Sequence, residues 1–171
     1  MNRFKILIGL FVALILTSCN RLEEEVTQFK GNFVEIDATV LNAPLTGKAY
    51  PLLTRIPQGG RPVINAQDSL IRRTTGTVQL RVNLVAAQRN NAEVLTFRVI
   101  PEETTAQAGV HYQTTGTVEI PANSSFGFIT VQILDPGAGT GSVNLVVELE
   151  SSTSLKANPN YNQVGIAISQ N

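Results

Sequence analysis

The sequence predicts an all-β domain built as a two-sheet β-sandwich and preceded by an export signal. Apolar residues recur at every second position in seven segments, and turn residues separate these segments at intervals of roughly ten residues. No segment sustains the 3.6-residue period of an amphipathic helix. We therefore expect about seven strands in two packed sheets of immunoglobulin-like architecture, with almost no helix.

Length and charge limit the possible classes of protein. The chain has 171 residues, which is enough for one domain with its own core plus a targeting segment. It carries 13 basic and 13 acidic residues, so its formal net charge is zero. Because no basic field is available to attract phosphates, we exclude nucleic acid as a partner.

Residues 1–18 have the form of a secretory signal peptide. Arg3 and Lys5 precede an apolar run from Ile6 to Leu16, and this order of a charged and a short apolar region is typical of such signals. The run is too short to cross a membrane as a helix. We expect it to be removed from the mature protein.

The signal ends in residues that resemble the lipobox of bacterial lipoproteins. Thr17 and Ser18 lead to Cys19, which is the only cysteine and so excludes an intramolecular disulfide. The resemblance implies that Cys19 carries diacylglycerol and becomes the mature N-terminus, with residues 19–30 as a lipidated tether. Two or three acyl chains anchor a protein firmly, since each buried methylene contributes about 0.8 kcal/mol.

The residues after the anchor favour the outer membrane. Asn20 stands where aspartate would retain a lipoprotein in the inner membrane, by resemblance to enterobacterial sorting rules. Glu23, Glu24 and Glu25 resemble acidic export signals that send some lipoproteins to the cell surface, although the same run would suit a plain solvated tether. We expect a lipid-anchored outer-membrane protein, and its exposure at the cell surface stays open.

The folded domain is expected to occupy residues 31–171, beginning with a strand. In this strand four apolar residues alternate with Phe33 and with polar residues, which is the pattern of a half-buried strand. The four are Val34, Ile36, Ala38 and Val40.

Residues 41–75 lose this periodicity. Four prolines and three glycines fall within them, which predicts a long loop with a short edge strand near residues 50–55. Tyr50, Arg55 and Arg61 are side chains that can stack on and hydrogen-bond to a ligand, so they are candidate ligand-binding residues. A flexible surface connection explains the same composition.

Six later segments alternate apolar and polar residues and complete the predicted strands. Two of them, joined by a turn at Pro121 and Asn123, form a strand, short turn and strand around which the chain is organised. The six segments are residues 78–84, 95–99, 117–120, 129–133, 143–149 and 164–168.

The stretch from Ala108 to Asp135 resembles a known family. The resemblance lies in Ala-Gly-Val-His-Tyr at 108–112, Gly-Thr-Val-Glu-Ile-Pro at 116–121 and Ile-Thr-Val-Gln-Ile-Leu-Asp at 129–135. These motifs resemble those of Calx-beta domains and of related uncharacterised bacterial surface lipoproteins. The resemblance implies a two-sheet sandwich, which binds calcium in some members and serves adhesion or spacing in others.

The calcium-binding members of that family have an aspartate where this chain has His111. At the next acidic cluster of the family the chain offers only Asp135, followed by Pro136 and Gly137. Calcium takes six to eight oxygen ligands, more than these residues offer. Zinc is excluded as well, because the chain has one histidine and its one cysteine is the predicted lipidation site. We therefore expect no metal and no cofactor, and a calcium-binding Calx-beta domain is the less favoured alternative.

No catalytic constellation emerges from the sequence. Ser124 and Ser125 lack the context of a nucleophile elbow, and Glu148 and Glu150 on one strand face are better explained as solvent-facing acids than as a glycosidase pair. We expect a non-enzymatic, membrane-anchored lipoprotein that serves as a binding or accessory module for a glycan or protein partner at the cell envelope. The alternative is a structural spacer or adhesion module.

Lipidation at Cys19 is directly testable by metabolic labelling. Cells that express the wild type should incorporate radiolabelled palmitate into the protein, whereas Cys19→Ser should incorporate none because serine has no thiol to acylate. Ser18→Ala, which keeps a small residue before the cysteine, should label like the wild type. Equal labelling of wild type and Cys19→Ser would contradict the prediction.

Overall fold

The computed structural model describes residues 31–61 and 65–171 and confirms the predicted all-β sandwich. The predicted signal peptide, Cys19 and the tether lie outside the described residues. Within the described ranges, ten strands form two five-stranded sheets. The strands are β1 (Phe33–Ile36), β2 (Leu52–Leu53), β3 (Thr77–Val85), β4 (Glu93–Val99), β5 (Tyr112–Thr114), β6 (Thr117–Ile120), β7 (Phe126–Ile133), β8 (Ser142–Leu149), β9 (Lys156–Ala157) and β10 (Gln163–Ser169).

Helical structure in this part of the chain is limited to two short segments. They are α1 (Asp37–Leu41) and a 3-10 turn at Pro101–Glu103. Among the described residues, no helix has the length and apolar character needed to cross a membrane.

The two sheets have the strand orders β5-β7-β3-β1-β9 (sheet 1) and β2-β10-β8-β4-β6 (sheet 2). Neighbouring strands are antiparallel except for the pairs β1 with β9 and β2 with β10. Seven strands correspond to the seven predicted ones, and β2 is the short edge strand expected near residues 50–55. The two additional strands, β5 and β9, are also short and lie at sheet edges. Short edge strands leave few unpaired backbone groups for another chain to pair with.

The core lies between the sheets and is formed by alternate residues of the longer strands. In β7, for example, buried and exposed residues alternate along the whole strand. Fully burying each such aliphatic side chain contributes about 1.5–3 kcal/mol to stability. Among the largest fully buried side chains are Ile36, Ile71, Leu80, Leu95, Ile120, Ile129, Leu145, Leu149, Leu155 and Ile166.

The prediction of one strand through residues 33–40 is wrong in its second half. The strand ends at Ile36, and α1 follows it, so that Val40 is exposed while Ala38 stays buried. This turn is stabilised by polar contacts, which the alternation of apolar and polar residues in the sequence cannot reveal. The Asp37 carboxylate accepts hydrogen bonds from the Gly60 N–H at 2.8 Å and from Asn83 Nδ2 at 2.9 Å.

The strands β6 and β7, adjacent in sequence, lie in opposite sheets. β6 pairs with β4 in sheet 2, and β7 pairs with β3 and β5 in sheet 1. The turn between them therefore carries the chain across the sandwich. At this crossing a Cβ atom built on Gly127 would lie 2.1 Å from the backbone oxygen of Glu119 and 3.3 Å from the Cα of Ile120. Only glycine leaves room for the two backbones to approach so closely.

Gly127→Ala should destabilise the domain by about 2 kcal/mol or more, because its methyl group would meet rigid backbone. The matched control is Gly139→Ala, whose Cβ would meet only the side chain of Gln170, at 3.2 Å. Urea unfolding of both variants at neutral pH measures the difference. A Gly127→Ala variant as stable as Gly139→Ala would contradict the close crossing.

Candidate functional site

The predicted loop of residues 41–75 is packed against the sandwich in its described parts, residues 41–61 and 65–75. Leu53 and Ile71 join the core, and Tyr50 is only 5% exposed. Tyr50 and Leu52 lie over the outward side of Gly165 in β10, where a built Cβ would come within 3.1 Å of the Tyr50 ring and 2.8 Å of the Leu52 side chain. This segment thus covers part of the outer face of sheet 2.

A polar cluster of Lys48, Tyr50 and Glu103 fastens the connection. The Tyr50 hydroxyl donates a hydrogen bond to Glu103 Oε2 at 2.9 Å, and Lys48 forms an ion pair with the same carboxylate. Burial, together with the Glu103 carboxylate, raises the pKa of Tyr50 to about 12. The hydrogen bonds from Lys48 and Tyr50 lower the pKa of Glu103. Both shifts show that the contact favours a neutral phenol beside a charged carboxylate.

Arg55 and Arg61 are brought together at Asp68, which is itself buried. The Arg61 guanidinium pairs with the Asp68 carboxylate, with Nη1 at 3.2 Å from Oδ2, and Arg55 donates to the backbone oxygen of Asp68. Tyr50, Arg55 and Arg61 therefore all have partners within the chain, and Tyr50 lies in a separate contact from the two arginines. Their role in ligand binding stays a prediction.

His111 and Asp135 also make internal contacts. His111 Nδ1 accepts a hydrogen bond from the Gln107 N–H at 3.0 Å. The Asp135 carboxylate pairs with Arg73 and accepts the Gly137 N–H at 2.9 Å, and these contacts hold its pKa below the usual range. Among the described residues, no three His, Cys, Asp or Glu side chains form a group that could hold a metal ion.

The outer face of sheet 1 presents two phenylalanines to solvent. Phe126 and Phe128 of β7 are 38% and 41% exposed, and their rings meet edge to face with centroids 5.6 Å apart. The guanidinium carbon of Arg81, on the neighbouring strand β3, lies 4.4 Å from the centroid of the Phe126 ring. We call Phe126, Phe128 and Arg81 the aromatic cluster.

Uncharged polar side chains continue this face beyond the aromatic cluster. Gln79 of β3 stands opposite Thr130 of β7, and Gln132 of β7 lies between Thr77 and Gln113 on its two neighbouring strands. The Thr77 hydroxyl donates to Gln132 Oε1 at 2.9 Å. The result is a row of amides and hydroxyls, which we call the polar row.

A groove of about 620 Å³ borders the polar row. Gln113, Thr130 and Gln132 of the row line it, together with the buried Tyr112, whose pKa is raised by burial. The aromatic cluster, the polar row and the groove form one continuous surface, which is the best candidate site in the described part of the chain.

The sequence carries a signal for this surface, although no motif marks it. Phe126 and Phe128 share the register of Thr130 and Gln132, so the period of two places them on the solvent side of β7. Phenylalanines on the polar face of a strand are informative because such positions rarely need a large apolar side chain.

Comparisons with known proteins give a family, and several solved structures are similar to the chain. The family model described as "Domain of unknown function (DUF4843)" matches residues 69–171. None of the curated proteins matches the chain.

Calx-beta domains are among the solved structures to which the chain is similar, as the motifs from Ala108 onward suggested. The apo-form Calx CBD1 domain is 17% identical, with 58% of this chain and 88% of that chain covered and a TM-score of 0.46. The CBD12 structure from CALX1.2 is 16% identical, with coverages of 57% and 40% and a TM-score of 0.44.

A two-domain protein of unknown function from Bacteroides fragilis is 9% identical, with 81% of this chain and 45% of that chain covered and a TM-score of 0.49. The chain thus spans less than half the length of this structure and of the CBD12 structure.

The contact of Tyr50 with Glu103 predicts a pH-dependent contribution to stability. Because folding raises the pKa of Tyr50 from 10.0 to about 12, the contribution is fully present below pH 10 and is lost as the pH rises toward 12. Tyr50→Phe should cost about 1 kcal/mol at neutral pH, through the lost hydrogen bond.

The difference in unfolding free energy between wild type and Tyr50→Phe should therefore shrink between pH 10 and about 12. Urea unfolding at several pH values measures it, and the other tyrosines cancel because both proteins contain them. A difference that stays constant over this range would contradict the prediction.

Proposed function

The chain belongs to the DUF4843 family, a domain of unknown function, and we propose that it is a non-enzymatic glycan-binding module of the cell envelope. The observation that supports this proposal is the exposed outer face of sheet 1, where two phenylalanine rings adjoin the polar row and a groove of about 620 Å³. The candidate residues Tyr50, Arg55 and Arg61 would then support the fold while the ligand occupies the other sheet.

The chemistry of this surface suits a sugar chain. A pyranose ring has an apolar face that packs on an aromatic ring, and hydroxyls that exchange hydrogen bonds with amides and other hydroxyls. The aromatic cluster offers the first kind of contact, and Gln79, Thr130 and Gln132 offer the second. Because amide side chains both donate and accept, they match hydroxyls in any orientation.

A protein partner is less well matched to the same surface. The cores of protein interfaces are apolar and depleted of polar side chains. Here the exposed large apolar residues of the face are Phe126 and Phe128. The charged Arg81 lies beside them, and the polar row beyond them consists of amides and hydroxyls. The partner that fits is therefore a glycan, and a protein would have to bury most of the polar row.

The proposed lipid anchor at Cys19 gives the module its place. An outer-membrane lipoprotein with a tether of residues 19–30 would hold the sandwich next to the membrane. We propose that the protein captures or retains a polysaccharide there, as an accessory to other envelope proteins, and that it performs no chemistry itself.

A glycan array probed with the detergent-solubilised full-length protein tests the proposal. Wild type should bind a restricted set of polysaccharides, and Phe128→Ala should weaken that binding at least about tenfold, since aromatic anchors dominate recognition. Its melting temperature should change little because the residue is 41% exposed. The matched control is Val94→Ala, which removes an exposed side chain from the outer face of sheet 2.

The outcomes separate the alternatives. Binding that Phe128→Ala and Val94→Ala leave equally intact would place the ligand elsewhere on the domain. If the wild type binds no polysaccharide on the array, the proposal fails and the structural spacer is the better interpretation.

A further inference from the structure

Arg81 differs from the arginines that form ion pairs, because no carboxylate in the described part of the chain pairs with it. Arg61, Arg73 and Arg98 form ion pairs with Asp68, Asp135 and Glu148. Arg81 has no ion pair in the described part of the chain, and its Nη atoms have no hydrogen-bond partner there. Its charge is therefore available on the outer face of sheet 1.

The side chain of Arg81 is nevertheless held in position on three sides. Its Nε donates to Asn83 Oδ1 at 2.8 Å, its guanidinium lies over the Phe126 ring, and its Cδ lies against Gly59, where a built Cβ would come within 2.9 Å. A side chain that is already ordered loses little entropy when it binds a ligand.

Asp37 is linked to Arg81 through hydrogen bonds of Asn83, and both of its carboxylate oxygens already accept hydrogen bonds. It is 8% exposed, and its two oxygens accept bonds from Asn83 Nδ2 and the Gly60 N–H. Because Asn83 bonds both to Asp37 and to Arg81 Nε, the buried carboxylate orients the arginine through the amide without pairing with it. A second acidic residue, Glu35, is the partner of Asn83 on the neighbouring strand β1. Its carboxylate accepts a hydrogen bond from Asn158 at 3.2 Å.

We infer that Arg81 is an anchor for an anionic group, and that the ligand of this face is an acidic polysaccharide. The inference rests on the proposed glycan-binding function and names the class of glycan. A guanidinium presents paired donors in a plane and so suits a carboxylate or a sulfate ester, two anionic groups that occur on such polymers. Neighbouring sugar rings would lie on Phe128 and along the polar row.

Affinity electrophoresis with matched charged and neutral polymers tests this assignment on the full-length protein in detergent. De-esterified homogalacturonan and its methyl-esterified form share one backbone and differ in free carboxylates. Dextran sulfate and dextran form a second matched pair, which differs in sulfate esters and so tests sulfate as the recognised group. Wild type should be retarded by at least one charged polymer about tenfold more strongly than by its neutral counterpart, as expected for a charged hydrogen bond.

Three variants locate the effect. Arg81→Gln should lose the preference for the charged polymer, and Arg81→Lys should recover only part of it because an ammonium lacks the planar pair of donors. Arg98→Gln is the matched control: it removes the same charge from sheet 2, where Arg98 pairs with Glu148. It should keep the preference, which excludes a general effect of net charge.

Each result bears on the inference separately from the proposed function. Equal retardation by charged and neutral polymers, lost in Phe128→Ala but unchanged in Arg81→Gln, would overturn the acidic ligand and leave the glycan-binding surface standing. A preference lost equally in Arg81→Gln and Arg98→Gln would show an unspecific charge effect and overturn the anchor. Absence of retardation by every polymer would count against both.

Discussion

The close crossing of β6 over Gly127 is the constraint on which the arrangement of the sheets depends. There the chain passes from sheet 2 to sheet 1, and the backbone of Glu119 and Ile120 occupies the space that any side chain at position 127 would need. With Gly127 facing inward, the period of two fixes the direction of its neighbours. Phe126 and Phe128 must point to solvent, and Ile129 must point into the core. The contact between Gly127 and the backbone of β6 thus brings the two sheets together and determines which residues of β7 form the aromatic cluster.

The two outer faces of the sandwich are covered differently. On sheet 2, Tyr50 and Leu52 lie over Gly165. The Thr104 hydroxyl accepts a hydrogen bond from the backbone N–H of Val146, and the Val146 side chain is fully buried although it points away from the core. On sheet 1, the aromatic cluster and the polar row remain open. The proline-rich connection therefore has a structural use that its composition conceals, and it leaves the opposite face free for a ligand.

The charged side chains also fall into two groups, those that stabilise the fold and one that is available to a ligand. Several acidic side chains serve the fold: Asp68 and Asp135 pair with arginines, and Glu103 holds the connection through Lys48 and Tyr50. Pairing keeps these partly desolvated charges compensated. Arg81 is instead positioned by neutral contacts and by a ring, which orients its charge without cancelling it. A free, ordered cation beside aromatic rings is the combination that recognition of an anionic ligand needs.

The sequence by itself determined the all-β class, the seven main strands and the inward-facing residues, because each follows from the period of two along a single strand. It could not show that β1 ends at Ile36, since the Asp37 carboxylate bonds to Gly60 and Asn83, which are distant in sequence. Nor could it assign β6 and β7 to different sheets, because a short turn permits either a hairpin or a crossing. The candidate surface belongs to the same category: alternation places Phe128 outside, but only the pairing of β7 with β3 and β5 brings Arg81, Gln79 and Gln113 beside it. Such contacts depend on register between strands, and register is a property of the folded chain.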